Sequence, residues 1–282
     1  MFQELLEMLS LPFVQKALIV GILISLCASI LGVTLVLKRF SFIGDGLSHV
    51  AFIGLAIAAV VGLTNNMLII MPVTIICAIF LLKGGSNNKM KGDSLIAVIS
   101  VSALSLGYLI MNVFPASSNV SADVCNSLFG SILMLTLTDF DMWLCIVLSA
   151  VVLIVFVFMY NHMFAVTFDE NFTKAIGVNT NFVNLVIAIV TAIVISLAMK
   201  LVGSLLISAI IVFPALSSMR IFKSFKSVTI SSAIISVLST VSGIIISLLA
   251  NTPIGATIVL VNLVVFLMFV VAGFGLQFKR GE

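Results

Sequence analysis

Charge is what this sequence has least of. Asp, Glu, Lys and Arg make up 8% of its residues while 62% are hydrophobic, whereas soluble domains carry about 25% charged residues. Such a chain cannot cover itself with polar groups in water, which excludes a soluble globular domain and leaves lipid as its solvent. In lipid the backbone must satisfy its own hydrogen bonds, so only helices or a closed barrel remain. The apolar runs approach ~20 residues without alternation, which selects helices. The expected fold is all-α: a polytopic transmembrane bundle of about eight to nine helices forming a single domain over residues 1–282.

Other absences narrow the chemistry. Cys27, Cys77, Cys125 and Cys145 have no CxxC spacing, and all but Cys125 lie in apolar runs, so neither a disulfide nor a cysteine metal site is expected. Met1 to Phe13 lacks the basic n-region of a signal peptide. Gly84-Gly85-Ser86-Asn87-Asn88-Lys89 resembles a phosphate loop only superficially and is no Walker A sequence. No Ser–His–Asp set, paired glutamates or HExxH pattern supports catalysis by this chain. A net charge of +3 gives no reason to expect a nucleic-acid partner.

What is there falls into nine hydrophobic segments, at 14–37, 45–63, 67–82, 95–114, 141–160, 182–201, 203–222, 228–250 and 253–275. The sixth and seventh form one stretch, divided near Lys200 to Gly203, and Pro214 makes the seventh kinked or short. With the N-terminus outside and the spans alternating, only Lys16 and Lys200 of the 13 Lys and Arg fall at the outer side. The positive-inside rule favours this orientation, with the C-terminus inside. Trp143 and Tyr160 then occupy the outer and inner interfaces.

Two connecting stretches read as more than turns. Asp123 to Met134 has the pattern of an amphipathic helix on the outer interface. On the inner side, 167–179 reads as a short helix: Thr167 or Asp169 caps it, Glu170 lies in its first turn, Lys174 in its last, and Gly177 ends it. Phe168, Phe172 and Ile176 make one apolar stripe at four-residue spacing. Two readings are open for that stripe: it rests on the membrane, or it docks into a groove of a cytoplasmic partner.

The chemistry concentrates in Gly44-Asp45-Gly46-Leu47-Ser48-His49, between two apolar runs and just after Lys38 and Arg39. Residues four apart on a helix share a face, with Cβ atoms about 6 Å apart, so Asp45 and His49 can converge on one cation. Carboxylate with imidazole suits Zn²⁺, Mn²⁺ or Fe²⁺ better than Ca²⁺ or Mg²⁺. Two strong ligands are fewer than a tight structural site uses, and a conduit needs its ion to leave as well as bind. Gly44, Gly46 and Gly54 permit close helix approach beside this turn. In a two-fold dimer with this seam on its axis, two pairs would supply four ligands. The plainer alternative has Asp45 capping the helix and His49 bonded to a neighbouring backbone. An ionisable pair at membrane depth favours function.

These stretches resemble a known family. Gly44 to His49, followed by Gly54, resembles the GDALSH signature of the membrane subunits of zinc/manganese/iron-type ABC importers, with Gly46 in place of the usual alanine, a change expected to loosen the helix start. Phe168 to Gly177 is similar to that family's FDEEFAKALG stretch, Leu128-Phe129-Gly130 to its LFG element, Val202 to Ala215 to its VGALLVSALLIIPAA run, and Pro253-Ile254-Gly255-Ala256 loosely to PSGA. Leu216-Ser217-Ser218 departs from the small residues that follow PA in the family. The ordered elements span nearly the whole chain. The resemblance implies a type II-like ABC importer permease in the cytoplasmic membrane, acting as a homodimer. Its partners would be a cytoplasmic ATP-binding subunit and an extracytoplasmic metal-binding protein. It implies Asp45 and His49 as metal-pathway residues, with Gly44, Gly46 and Ser48 along the path. Phe168, Asp169, Glu170, Phe172, Lys174 and Gly177 would couple to the ATPase. No cofactor is held permanently; zinc, manganese or iron is cargo, and ATP acts only through the partner. A proton-coupled secondary transporter and an ABC permease for metal chelates are the alternatives; the Asp–His pair favours a bare ion over an organic chelate.

Overall fold

The computed structural model describes residues 10–62, 66–87, 92–114, 138–204 and 207–280. Asp123 to Met134, Leu128-Phe129-Gly130 and Cys125 lie outside them, so the expected outer interfacial helix and the LFG element are not described. The helices are α1 (Pro12–Leu37), α2 (Ile43–Val61), α3 (Met67–Asn87), α4 (Gly92–Val113), α5 (Asp139–Phe168), α6 (Glu170–Ala175), α7 (Thr180–Val202), α8 (Ile207–Ile221), α9 (Phe225–Ala250) and α10 (Ile254–Arg280). No strand occurs among the described residues. Each of the nine apolar segments is a helix, and α6 is the short addition.

Seven of these helices are long and apolar enough to cross a membrane, while Met67–Leu81 and Ile207–Ile221 are shorter apolar helices. At about 1.5 Å per residue, the fifteen residues of α8 reach roughly 22 Å, less than the ~30 Å hydrocarbon core. Gly203 ends α7 with a φ of +83°, and Pro214 lies inside α8. A second proline, Pro72, interrupts the donor ladder of α3.

The bundle has a central and a peripheral set of helices. In α1, α2 and α7 67% of the most apolar window is buried, against 22% in α5 and α10. The outer helices turn Val157, Phe158 and Val271 outward, each more than 70% exposed. Small residues set the spacing inside. A Cβ on Gly32 of α1 would lie 2.1 Å from the Ile211 carbonyl oxygen of α8, and one on Gly54 of α2 would lie 2.9 Å from the Ile70 Cα of α3. Hydroxyls bridge α9 to α1: Ser236 Oγ donates to the Ser25 carbonyl at 3.0 Å and Ser232 Oγ to that of Ser29 at 3.3 Å. Close backbone approach and interhelical hydrogen bonds hold helices together where lipid removes the hydrophobic contrast.

Candidate functional site

The site is built on the first turns of α2. A tight turn delivers them: Phe40 N–H donates to Leu35 O, Ile43 N–H to Phe40 O and Gly46 N–H to Phe42 O. Arg39 takes a left-handed φ of +62° within it. Phe42 is the N-cap and offers no side-chain cap, so Asp45 does not cap the helix. It lies in the first turn, where the helix dipole favours a carboxylate. His49 Nε2 approaches Asp45 Oδ1 at 3.4 Å. Ser100 Oγ, from α4, donates to Asp45 Oδ2 at 2.8 Å. Both carboxylate oxygens are therefore engaged, one by a neighbour on the same face and one across the helix interface.

The two ligand candidates differ in exposure. The Asp45 side chain is 36% exposed and that of His49 5%, so the carboxylate opens outward while the imidazole sits inside the packing. His49 Nδ1 is buried with no hydrogen-bond partner among the described residues. The bond to a neighbouring backbone allowed for His49 by the plainer alternative is thus not found. No group of three or more His, Cys, Asp or Glu side chains comes together among the described residues. Asp45 and His49 thus bring together two side chains of metal-ligating type, fewer than the four of a tight structural site.

The neighbours in the motif do different work. Ser48 is fully buried and its hydroxyl donates to the Asp45 carbonyl at 2.8 Å. A Cβ on Gly44 would lie 3.2 Å from Ser208 Oγ of α8, and one on Gly46 2.9 Å from Ile96 Cγ2 of α4. Gly46 lets α4 close on α2 at the level where Ser100 reaches Asp45. Ser100 had no signal in the sequence, being one hydroxyl in an apolar segment.

The inner segment is shorter than 167–179. α5 continues past 160 to Phe168, so Phe168 is its last residue, and only Glu170–Ala175 form the separate α6. Asp169 divides the two helices, and its Oδ1 accepts from the Phe172 N–H at 2.8 Å. Thr167 instead donates its hydroxyl back to Met163 O within α5, so Asp169 is the cap. The reason is geometric: Asp169 has extended φ and ψ of −149° and 97°, which breaks the helix at that residue. Gly177, at a φ of +91°, ends the turn after α6. Phe168, Phe172 and Ile176 are each about 60% exposed. The Phe168 ring also packs on Phe164 and on Phe225 of α9, with centroids 4.7 and 6.3 Å away. Lys174 is exposed at the end of α6. Asn184 of α7 donates Nδ2 to Glu170 Oε1 at 2.9 Å and accepts from Lys38 at its Oδ1. Asn184, too, was unmarked in the sequence.

Comparison with known proteins follows this architecture. Residues 10–273 match the model of the ABC 3 transport family. The chain is 30% identical to the high-affinity zinc uptake system membrane protein ZnuB of Haemophilus influenzae over 255 residues, 89% of this chain and 94% of that one. It is 29% identical to the manganese import system permease protein ScaB of Streptococcus gordonii, over 95% of this chain and 94% of that one. Among solved structures, PsaBC from Streptococcus pneumoniae in complex with Fab matches with a TM-score of 0.83 at 28% identity, covering 95% of both chains.

Proposed function

As this chain belongs to the ABC 3 transport family, we propose that it is the permease subunit of an ATP-driven importer of a divalent transition metal ion. Zinc and manganese are the first candidates, because the relatives are named for them, and iron fits the same ligand chemistry. The ion meets Asp45 and His49 on its way across the cytoplasmic membrane, beside Gly44, Gly46 and Ser48. The observation that carries the reading is the His49–Asp45 contact at 3.4 Å, with Ser100 orienting the carboxylate and an imidazole nitrogen buried without a partner. Two such half-shells from a homodimer would complete four ligands.

ATP is hydrolysed by a cytoplasmic partner subunit, and an extracytoplasmic metal-binding protein delivers the ion. The N-terminus lies outside and the C-terminus inside, as the distribution of Lys and Arg favours. The exposed rings of Phe168 and Phe172 are suited to a groove on the ATPase. Asp169, Glu170, Lys174 and Gly177 shape the connection that carries its movement into the bundle.

Uptake of radioactive zinc or manganese into cells tests the reading. Asp45→Ala and His49→Ala each abolish uptake, while the variant permease still co-purifies with its ATPase. Normal uptake by both variants refutes it.

A further inference from the structure

α1 ends at Leu37 and is followed by its C-cap Lys38, whose position is intermediate between buried and exposed. Its ammonium donates to Asn184 Oδ1, and the Nδ2 of the same amide donates to Glu170 Oε1 at 2.9 Å. An amide between a cation and a carboxylate has one favourable orientation, with its oxygen toward the lysine and its NH₂ toward the acid. One side chain near the start of α7 thereby ties the α1–α2 turn to the first residue of α6. Burial pushes the Lys38 ammonium below the ordinary lysine range, opposed by the Glu170 charge. A partly desolvated cation depends on the partners it has.

From Lys38 to Asp45 the backbone has little slack. Lys38 N–H donates to Thr34 O, Phe40 N–H to Leu35 O and Ile43 N–H to Phe40 O, and Arg39 is held at a φ of +62°. A displacement of α6 must therefore either carry Lys38 and the first turn of α2 with it or break the amide's bonds. We propose that the Lys38–Asn184–Glu170 chain of hydrogen bonds passes the movement of α6 to the turn that carries Asp45, which makes Asn184 a positioning residue for transport. The inference rests on the docking role given to α6 under the proposed function.

The test uses the permease assembled with its ATPase in vesicles, supplied with the metal-delivery protein loaded with Mn²⁺ or Zn²⁺. Three quantities are read for Asn184→Leu: metal bound by the detergent-solubilised complex, ATP hydrolysed, and ions imported per ATP. The expected result is metal binding and ATP hydrolysis within about twofold of the parent and a fall of about fivefold or more in ions per ATP, the size of an ordinary coupling energy. A purely structural role lowers the amount of assembled complex and leaves the ratio unchanged. An unchanged ratio in assembled complex overturns the proposal. If Asn184→Leu does not assemble, Lys38→Met breaks the other end of the chain and is judged by the same ratio. Phe172→Ala run in parallel separates the two claims. If Phe172→Ala uncouples and Asn184→Leu does not, the hydrogen-bond chain is wrong and docking stands. If neither uncouples, both are wrong.

Discussion

Ser100 donates its hydroxyl to Asp45 Oδ2 at 2.8 Å across the α2–α4 interface. The Asp45 carboxylate is thus oriented by a residue 55 positions away in sequence. Groups that orient a metal ligand commonly contribute 10–100-fold to affinity or activity. Ser100→Ala should raise the apparent KM for metal uptake about tenfold with smaller loss of maximal rate, measured by uptake across a metal concentration series. Ser100→Thr, which keeps the hydroxyl, should stay close to the parent.

Phe172 is the cleaner probe of docking, because Phe168 also packs on Phe164 and Phe225. Phe172→Ala should weaken association with the ATPase by about 1–3 kcal/mol, as for an exposed aromatic anchor at an interface. Co-purification at graded dilution reads this directly. Phe168→Ala should in addition lower the thermal stability of the isolated permease, since it removes a ring from the α5–α9 contact.

Gly32→Ala tests the spacing of α1 and α8. The new Cβ would lie 2.1 Å from the Ile211 carbonyl oxygen, a backbone atom that no rotamer change can move aside. The expected loss is about 1–3 kcal/mol of stability, seen as a lower unfolding midpoint in detergent. No such loss would show that the two helices are not in contact there.

Ser236→Ala should have a much smaller effect. Its Oγ donates to Ser25 O at 3.0 Å, and interhelical hydrogen bonds of this kind average about 0.6 kcal/mol in membrane proteins. The same unfolding measurement should rank it well below Gly32→Ala.

Local chemistry explains what was legible beforehand. Among the described residues each of the nine hydrophobic segments gives an apolar helix, because in lipid every run of apolar backbone must close its own hydrogen bonds. The break at Gly203 followed from a glycine that can take a positive φ. The Asp45–His49 contact followed from four-residue spacing on one helix, which any α-helix converts to proximity. The division around Asp169 was only half legible: the capping residue was among the two candidates, yet α5 ran on through Phe168 because its apolar pattern gave no earlier reason to stop.

By itself, then, the sequence determined the solvent, the class of fold, the helical segments and one acid–imidazole pair on a single turn. Each depends on composition or on residues within a few positions of one another. Only the tertiary structure decided that Ser100 holds Asp45, that Gly46 admits α4 against α2, and that Asn184 bridges Lys38 to Glu170. Those pairings depend on which helix faces meet and at what height, and a serine or asparagine inside an apolar run carries no mark of the neighbour that packing will bring to it. Asp45 and His49 were visible as chemistry; their surroundings became visible only when the helices were side by side.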